Sequence, residues 1–234
     1  MILDIVADLP MEFSERGIEL PIVTYENYER NYGILSLDFI EEMQHEIQKA
    51  EEEARQRAIE EAKRIEEELE RQRIESVTFD KNDVSKSSNL TGEEMYELLK
   101  DTGLSDVAYT YVQAENEYGV NAFFLAALSA LESGWGNSRR ATQDNNLTGY
   151  SIKSSSDYYA FSSRSESLLA TAQLLGYNYL KEDGKYYTGK SVSDIHQKYC
   201  PPKDSACKGW DDKVSRLAQD LYLQYREFVI LNED

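Results

Sequence analysis

The sequence predicts a mainly α-helical domain with one small β-hairpin, preceded by a single long helix. Residues 36–78 are rich in Glu, Arg, Lys, Ala and Gln and contain no Gly or Pro, a composition typical of one uninterrupted helix. Residues 91–228 carry apolar side chains at helical spacing between short polar turns. The stretch SIKSSSDYYAF alternates loosely, which indicates a short hairpin within that helical domain.

The first 35 residues are expected to form an irregular docking segment. Pro10 and Pro21 interrupt any regular element there. The opening stretch carries Asp4 and Asp8 and no basic cluster, so we expect no secretory signal and, if the chain is exported, another route. No run is long and apolar enough to predict a membrane span.

The long helix, residues 36–78, has a thin apolar stripe that is rich in alanine. Its members follow a three- and four-residue spacing with one inserted step, as in a coiled coil with a stutter: Ile40, Met43, Ile47, Ala50, Ala54, Ala58, Ala62, Ile65 and Leu69. We expect a coiled coil or packing on a partner protein. The alternative is a solvated single helix held by Glu/Arg pairs.

Residues 79–90 are expected to form a linker, because turn-forming residues dominate KNDVSKSSN. The domain then opens at Thr91, which forms a capping-box pattern with Glu94. Further along, Ser163 or Ser165 is expected to cap an amphipathic helix, and a final helix is expected from about 211 to 228.

Glu132 is the principal candidate for chemistry. It ends an uncharged apolar run that starts at Asn121, and Gly134 follows as a C-terminal cap. The carboxyl is therefore expected in the last helical turn, near the negative end of the dipole and beside aromatic rings. Apolar surroundings and the dipole both disfavour its charge, so we expect a raised pKa, as a general acid requires.

The charge balance argues against a nucleic-acid partner. The formal net charge is −19, and residues 1–85 hold 10 basic and 23 acidic side chains. Cys200 and Cys207 lie in a loop-like stretch, YCPPKDSACKGW, where either a local disulfide or two free thiols would fit. We expect no cofactor and no metal site.

Six sequence blocks resemble one family of enzymes in order and spacing. They are SNLTGEEMYELLKDTGL, EYGVNAFFLAALSALESGWGNS, NNLTGY, FSSRSESL, NYLKEDGKYYTGKSV and KYCPPKDSACKGWDDKV. Together they cover roughly residues 88–224 and are similar to the endo-β-N-acetylglucosaminidase domain of bacterial and phage cell-wall hydrolases. The resemblance implies a lysozyme-like (α+β) fold for residues 91–228, with Glu132 as the shared catalytic acid and Tyr199 near the site.

The chain departs from this family pattern at two places. Thr148 stands where relatives have Phe, and the hairpin that carries a second acid in several relatives is short and holds only Asp157. Asp157 is thus one candidate for the second catalytic group. Glu166 is another, although its position at a helix start fits capping better. If neither reaches the site, the substrate's own 2-acetamido group is the remaining nucleophile.

Several aromatic and polar side chains are candidates for a sugar groove, because flat rings pack on sugar faces. They are Trp135, Asn146, Tyr150, Tyr158 and Tyr159. Packing in the core is the alternative role for the aromatic residues.

The expected function is hydrolysis of peptidoglycan at the β-1,4 bond after N-acetylglucosamine. A long helix that the hydrolase fold does not need indicates a phage virion or tail-associated lysin, mounted by self-association or on a virion partner. The alternatives are a free phage endolysin or bacterial autolysin and, in a different class, a structural tail protein with an inactive domain. The expected location is the virion or the cell wall.

Overall fold

The computed structural model describes residues 37–151 and 159–232, and the regular secondary structure of this part of the chain is almost entirely helical. The α-helices within it are α1 Leu37–Ser76, α2 Gly92–Leu99, α3 Ala108–Tyr118, α4 Ala122–Ser133, α5 Arg139–Gln143, α6 Arg164–Leu175, α7 Val192–Tyr199 and α8 Trp210–Asn232. A π-helical turn, Gly176–Leu180, follows α6. A mainly α fold preceded by a long helix is therefore confirmed.

The chain divides into two compact units, Met1–Arg64 and Ile65–Asp234. In the described part of the first unit, α1 is solvent-exposed along most of its length from Met43, and Ile47 and Ala54 are its half-buried positions. Ion pairs between side chains three and four residues apart stabilise this helix, such as Arg64 with Glu61 at 2.7 Å. The described residues contain no helix that is both long and apolar enough to span a bilayer.

Helix α4 is the centre of the second unit. All residues from Ala122 to Ala130 are buried, so the helix is surrounded by protein on every side along this length. Asn121 caps its start by accepting a hydrogen bond from the Phe124 amide at 3.2 Å. Helix α8 packs along α4, α2 packs against α3, and α3 packs against α6.

Gly134 ends α4 as the sequence predicts. It adopts a left-handed conformation with φ of 59°, and its amide donates to the Ala130 carbonyl. This sharp end leaves Glu132 in the last turn of a rigid, buried helix.

The end of α1 belongs to the second unit and is joined to its core. Arg73 donates to both carboxylate oxygens of Glu94, at 2.8 and 3.1 Å, and Tyr225 of α8 donates to the same carboxylate. Thr91 and Glu94 also form the predicted capping box of α2.

Residues 77–90, which include the segment expected to be a linker, are packed onto the core. Val77, Val84 and Leu90 are buried, and the Val84 amide donates to the Lys190 carbonyl at 3.0 Å. The buried carboxylate of Glu115 accepts from the Ser88 amide at 2.9 Å and from the Ala122 amide at 2.7 Å. The turn-forming composition therefore reflects local turns that are fixed by the domain.

Candidate active site

The Glu132 side chain is solvent-exposed, although it extends from the end of the buried helix α4. Its Oε1 accepts a hydrogen bond of 2.8 Å from the indole Nε1–H of Trp210, the first residue of α8. Its Oε2 faces Gly149, where an added Cβ would lie 3.5 Å from that oxygen. The carboxyl is thus accessible to a ligand and held at one oxygen.

The protein surrounds the Glu132 carboxyl closely enough to change its acidity. Desolvation raises the pKa above its ordinary value, and the Trp210 hydrogen bond and the positive charge of Arg140 oppose this rise without cancelling it. The direction is the one that the sequence analysis expects. A carboxyl that is accessible and has a raised pKa can donate a proton to a bound ligand.

Tyr199, at the end of α7, lies beside this carboxyl. Its ring packs on Trp210 with centroids 5.4 Å apart, and its hydroxyl donates to the Thr148 carbonyl at 3.0 Å. Burial and the nearby Glu132 raise the pKa of this phenol well above its ordinary value. Tyr199 therefore stays neutral, and its hydroxyl oxygen can still accept a hydrogen bond.

The NNLTGY turn, residues 145–150, shapes the opposite side of the Glu132 carboxyl. Asn146 is buried, its amide nitrogen donates to the carbonyls of Tyr150 and Tyr159 at 2.9 Å each, and its oxygen accepts from the Tyr150 amide. Both amide hydrogens are used within the protein, so Asn146 builds the loop and has no donor left for a sugar.

Thr148, the residue that departs from the family pattern, has a hydrogen-bond partner within the protein. Its hydroxyl forms a 2.6 Å hydrogen bond with that of Thr171 on α6, and both side chains are buried. A polar residue is tolerated in this interior because a second hydroxyl satisfies it.

The aromatic candidates differ in their surroundings. Tyr150 and Tyr159 both pack on Phe161, at 5.7 and 4.7 Å between ring centroids, and Tyr159 is 42% exposed. Trp135 follows the cap of α4 in a left-handed conformation, with φ of 56°, and packs partly against the core. Tyr150 and Tyr159 thus present aromatic surface near the loop, whereas Trp135 has a packing role.

Of the two candidates for a second acid, Glu166 lies in the described residues, and its carboxylate has hydrogen-bond partners of its own. Glu166 accepts from the amide and hydroxyl of Ser162, and these hydrogen bonds lower its pKa. Ser163 is the N-cap of α6, and the Glu166 carboxylate binds the residue before it. Glu166 therefore helps to fix the start of this helix. Asp157 and Tyr158 lie outside the described residues, as does most of the predicted hairpin, residues 152–158.

Trp210 is a site residue that the sequence analysis missed. It lies 78 positions from Glu132 along the chain, and the final helix was expected to begin just after it. A tryptophan directly after Gly209 at the start of a helix was the available signal, but only the fold shows what its indole contacts.

A buried histidine lies behind Trp210. The ring of His196 stacks on the indole at 5.7 Å, its Nδ1 is 3.0 Å from Asp211 Oδ1, and its Nε2 is 3.0 Å from the Cys207 carbonyl oxygen. Cys207 is bonded to Cys200, so the disulfide alternative is the one realised. The described residues contain no cluster of three or more His, Cys, Asp or Glu placed to hold a metal ion.

The part of the chain that carries this site is similar to known proteins. The model of the Glucosaminidase family, described as mannosyl-glycoprotein endo-beta-N-acetylglucosaminidase, matches residues 108–223. Two curated proteins named putative endo-beta-N-acetylglucosaminidase, from Streptococcus pneumoniae serotype 4 strain TIGR4 and from strain R6, are each 27% identical over 143 residues. The match covers 58% of this chain but 21% and 20% of those relatives, so this chain spans about a fifth of their length.

Solved structures share the fold. A catalytic mutant of S. aureus autolysin E, in complex with the disaccharide NAG-NAM, is 19% identical with a TM-score of 0.51, over 66% of this chain and 77% of that chain. Another structure of S. aureus autolysin E has 19% identity and a TM-score of 0.50, over 66% and 78%. The residues that match the Glucosaminidase family model, 108–223, carry Glu132, Tyr199 and Trp210.

Proposed function

We propose that this chain is a glycoside hydrolase that cleaves the β-1,4 bond after N-acetylglucosamine in peptidoglycan. The family model and the names of the curated relatives support a glucosaminidase. The disaccharide NAG-NAM bound to autolysin E supports peptidoglycan as the substrate class. The observation that carries the proposal is the accessible Glu132 carboxyl with its raised pKa.

Glu132 is the general acid in this reaction. It gives its proton to the glycosidic oxygen as the bond from that oxygen to the anomeric carbon breaks and positive charge develops on the carbon. Water then supplies the hydroxyl group that ends on the anomeric carbon. A proton transfer of this kind contributes about 10²–10⁴ to the rate.

The second group that assists the anomeric carbon is either Asp157 or the substrate itself. Asp157 would act as a base or nucleophile if the hairpin reaches the cleft. Otherwise the 2-acetamido oxygen attacks the anomeric carbon, and water opens the resulting ring. Tyr199 fits the second route, because its hydroxyl oxygen can accept the acetamido N–H while donating to the Thr148 carbonyl.

Product analysis of digested peptidoglycan tests the activity. Mass spectrometry after borohydride reduction should find new reducing ends on N-acetylglucosamine, and Glu132→Gln should lower their yield by about 10² or more. Glu166→Gln is the matched control, since its carboxylate caps a helix, and it should cut nearly as well as wild type. New ends on muramic acid, or full activity of Glu132→Gln, would reject the assignment.

A second comparison separates the two routes. Asp157→Asn should lose far more activity than Glu166→Gln if Asp157 assists the anomeric carbon. Small and equal losses in both variants would indicate assistance by the acetamido group. In that case an N-acetyl-thiazoline analogue of the ring intermediate should inhibit the wild-type protein.

We also propose that the chain acts as a virion or tail-associated lysin of a phage, mounted through α1. Apolar side chains along this helix are exposed, including Ile59 at 52% and Leu69 at 60%, which suits a helix that meets a partner. Co-purification with virions tests this proposal. Activity found only outside virions would instead favour a free endolysin or a bacterial autolysin, and virion association without product would favour a structural tail protein.

A further inference from the structure

The hydrogen bond between Trp210 and Glu132 fixes where the acid proton can sit. An indole Nε1–H can donate a hydrogen bond but cannot accept one. It lies 2.8 Å from Oε1, so a proton on Oε1 directed along this contact would oppose the indole hydrogen. The neutral acid keeps this hydrogen bond best when Oε1 is its carbonyl oxygen, an arrangement that favours the proton on Oε2.

The surroundings of Oε2 suit its use as the donor. Gly149 is the residue next to it, with φ of 68°, a conformation that favours glycine. An added Cβ there would lie 3.5 Å from Oε2 and would occupy part of the approach to this oxygen. The chain therefore leaves space beside the oxygen that carries the proton.

The indole itself has little freedom to move. Trp210 is 3% exposed, and its ring lies against Tyr199 at 5.4 Å and against His196 at 5.7 Å. His196 is fixed at both ring nitrogens, by the Asp211 carboxylate and by the Cys207 carbonyl. These two contacts hold the ring against the indole.

We propose that Trp210 is a positioning residue that keeps the proton of Glu132 on Oε2, facing the substrate, while His196 and Tyr199 hold the indole in place. Acid catalysis requires the proton to point at the glycosidic oxygen, and an unheld carboxyl would present it only part of the time. The inference rests on the proposed role of Glu132 as the general acid.

The same contact lowers the pKa of Glu132 against the larger effect of desolvation, which provides a direct test. The groups that act on this carboxyl are Arg140 on α5, Tyr199 on α7 and Trp210 on α8. The Trp210 hydrogen bond favours the carboxylate, so removing the N–H should raise the pKa further. Because the acid must be protonated to work, the alkaline fall of the pH–rate profile should move to higher pH.

The variants are Trp210→Phe and a chain with 3-benzothienylalanine at position 210. The second keeps the bicyclic shape and loses only the N–H, so a failure of Trp210→Phe to fold does not end the test. Both should lower kcat by about tenfold with little change in KM. Tyr225→Phe is the matched control, since it removes a hydrogen bond from α8 to a different carboxylate, Glu94.

A ¹³C NMR titration of the Glu132 carboxyl, assigned with Glu132→Gln, reports the proton without any need for activity. The proposal predicts an upward shift of its pKa in both position-210 variants and none in Tyr225→Phe. An unchanged titration, or an unchanged kcat and pH–rate profile in the benzothienylalanine variant, would overturn it. If wild-type protein yields no glucosaminidase product, the proposed function fails, while the titration still decides the role of Trp210.

Discussion

At the scale of single residues, the acidity of Glu132 has a consequence for stability. Its pKa is raised in the folded chain by desolvation, so the folded state binds the proton more tightly than the unfolded state does. This contribution to stability is complete below the ordinary carboxyl range and is lost as the pH rises through the raised pKa. At neutral pH the folded protein is therefore less stable than it would be with a neutral side chain at position 132.

We predict that Glu132→Gln raises the melting temperature at pH 7. Its amide oxygen can still accept from the Trp210 indole, and it carries no charge to desolvate. Below the ordinary glutamate range the two proteins should melt at nearly the same temperature, because Glu132 is then neutral. Thermal melts across this pH range measure the effect. A variant that is less stable than wild type at every pH would contradict this prediction, because the folded protein would then stabilise the charged carboxylate.

At the scale of helices, the contact between α1 and α2 includes a partly buried ion pair, Arg73 with Glu94. Burial acts to raise the pKa of Glu94, but hydrogen bonds from Arg73 and Thr91 outweigh it and the pKa is lowered. The stability that this carboxylate provides is present above the ordinary glutamate range. It is lost as the pH falls through the lowered pKa.

Arg73→Ala should therefore destabilise the domain by about 2 kcal/mol, since it leaves a partly buried carboxylate without its main cation. Arg71→Ala is the matched control two positions away, because the pair of Arg71 with Glu68 is exposed and should contribute much less. Urea denaturation of both variants at neutral pH gives the comparison. Equal losses would mean that burial adds nothing to the Arg73 pair.

The loop between α7 and α8 is closed by the Cys200–Cys207 disulfide, which spans seven positions. Opening it with a reductant should lower the free energy of unfolding by about 2.5 kcal/mol on the chain-entropy account. Activity should fall as well, because the Cys207 carbonyl fixes His196 behind Trp210. Melting and activity assays with and without dithiothreitol test this, with Cys200→Ser/Cys207→Ser as a control that the reductant should not change.

Local patterns predicted the elements better than the contacts between them. The end of α4 at Gly134 and the capping box at Thr91 follow from neighbouring residues, so the sequence specified both. Glu132 was identifiable because an acid at the end of an apolar helix is locally anomalous. The roles of Trp210 and His196 were not predicted, since each depends on packing between distant helices.

The contacts of Asn146, a polar residue in a turn, could not be predicted from the sequence. Asn146 was expected to bind substrate, and in the folded chain its donors are used by two backbone carbonyls on either side of the hairpin segment. Sequence shows which groups are polar, but only the fold shows which of them are already satisfied.

At the scale of the whole molecule, truncation tests where the folded second unit begins. A chain that starts at Ser87 lacks Val77 and Val84, which are fully or almost fully buried, and each should cost about 2 kcal/mol. A chain that starts at Ile65 keeps both residues and the Arg73 pair. We therefore expect wild-type peptidoglycan cleavage from residues 65–234 and a markedly lower melting temperature for residues 87–234. Equal melting temperatures would make residues 77–86 dispensable.

The full chain should associate through α1, with itself or with a carrier protein. This helix exposes Met43, Ile59, Ile65 and Leu69 by 46%, 52%, 49% and 60%, and its many alanines bury too little apolar surface for an isolated helix to be stable. Association would cover this stripe, so the full chain should sediment as an oligomer or be recovered with a partner, and residues 65–234 should sediment as a monomer.

Ile59→Glu should weaken the association and leave the specific activity of the domain unchanged, because the substitution lies in the other unit. Sedimentation velocity over a range of concentrations measures both effects. A monomeric full chain with no partner in virions would leave α1 as a solvated spacer, held by its own Glu/Arg pairs.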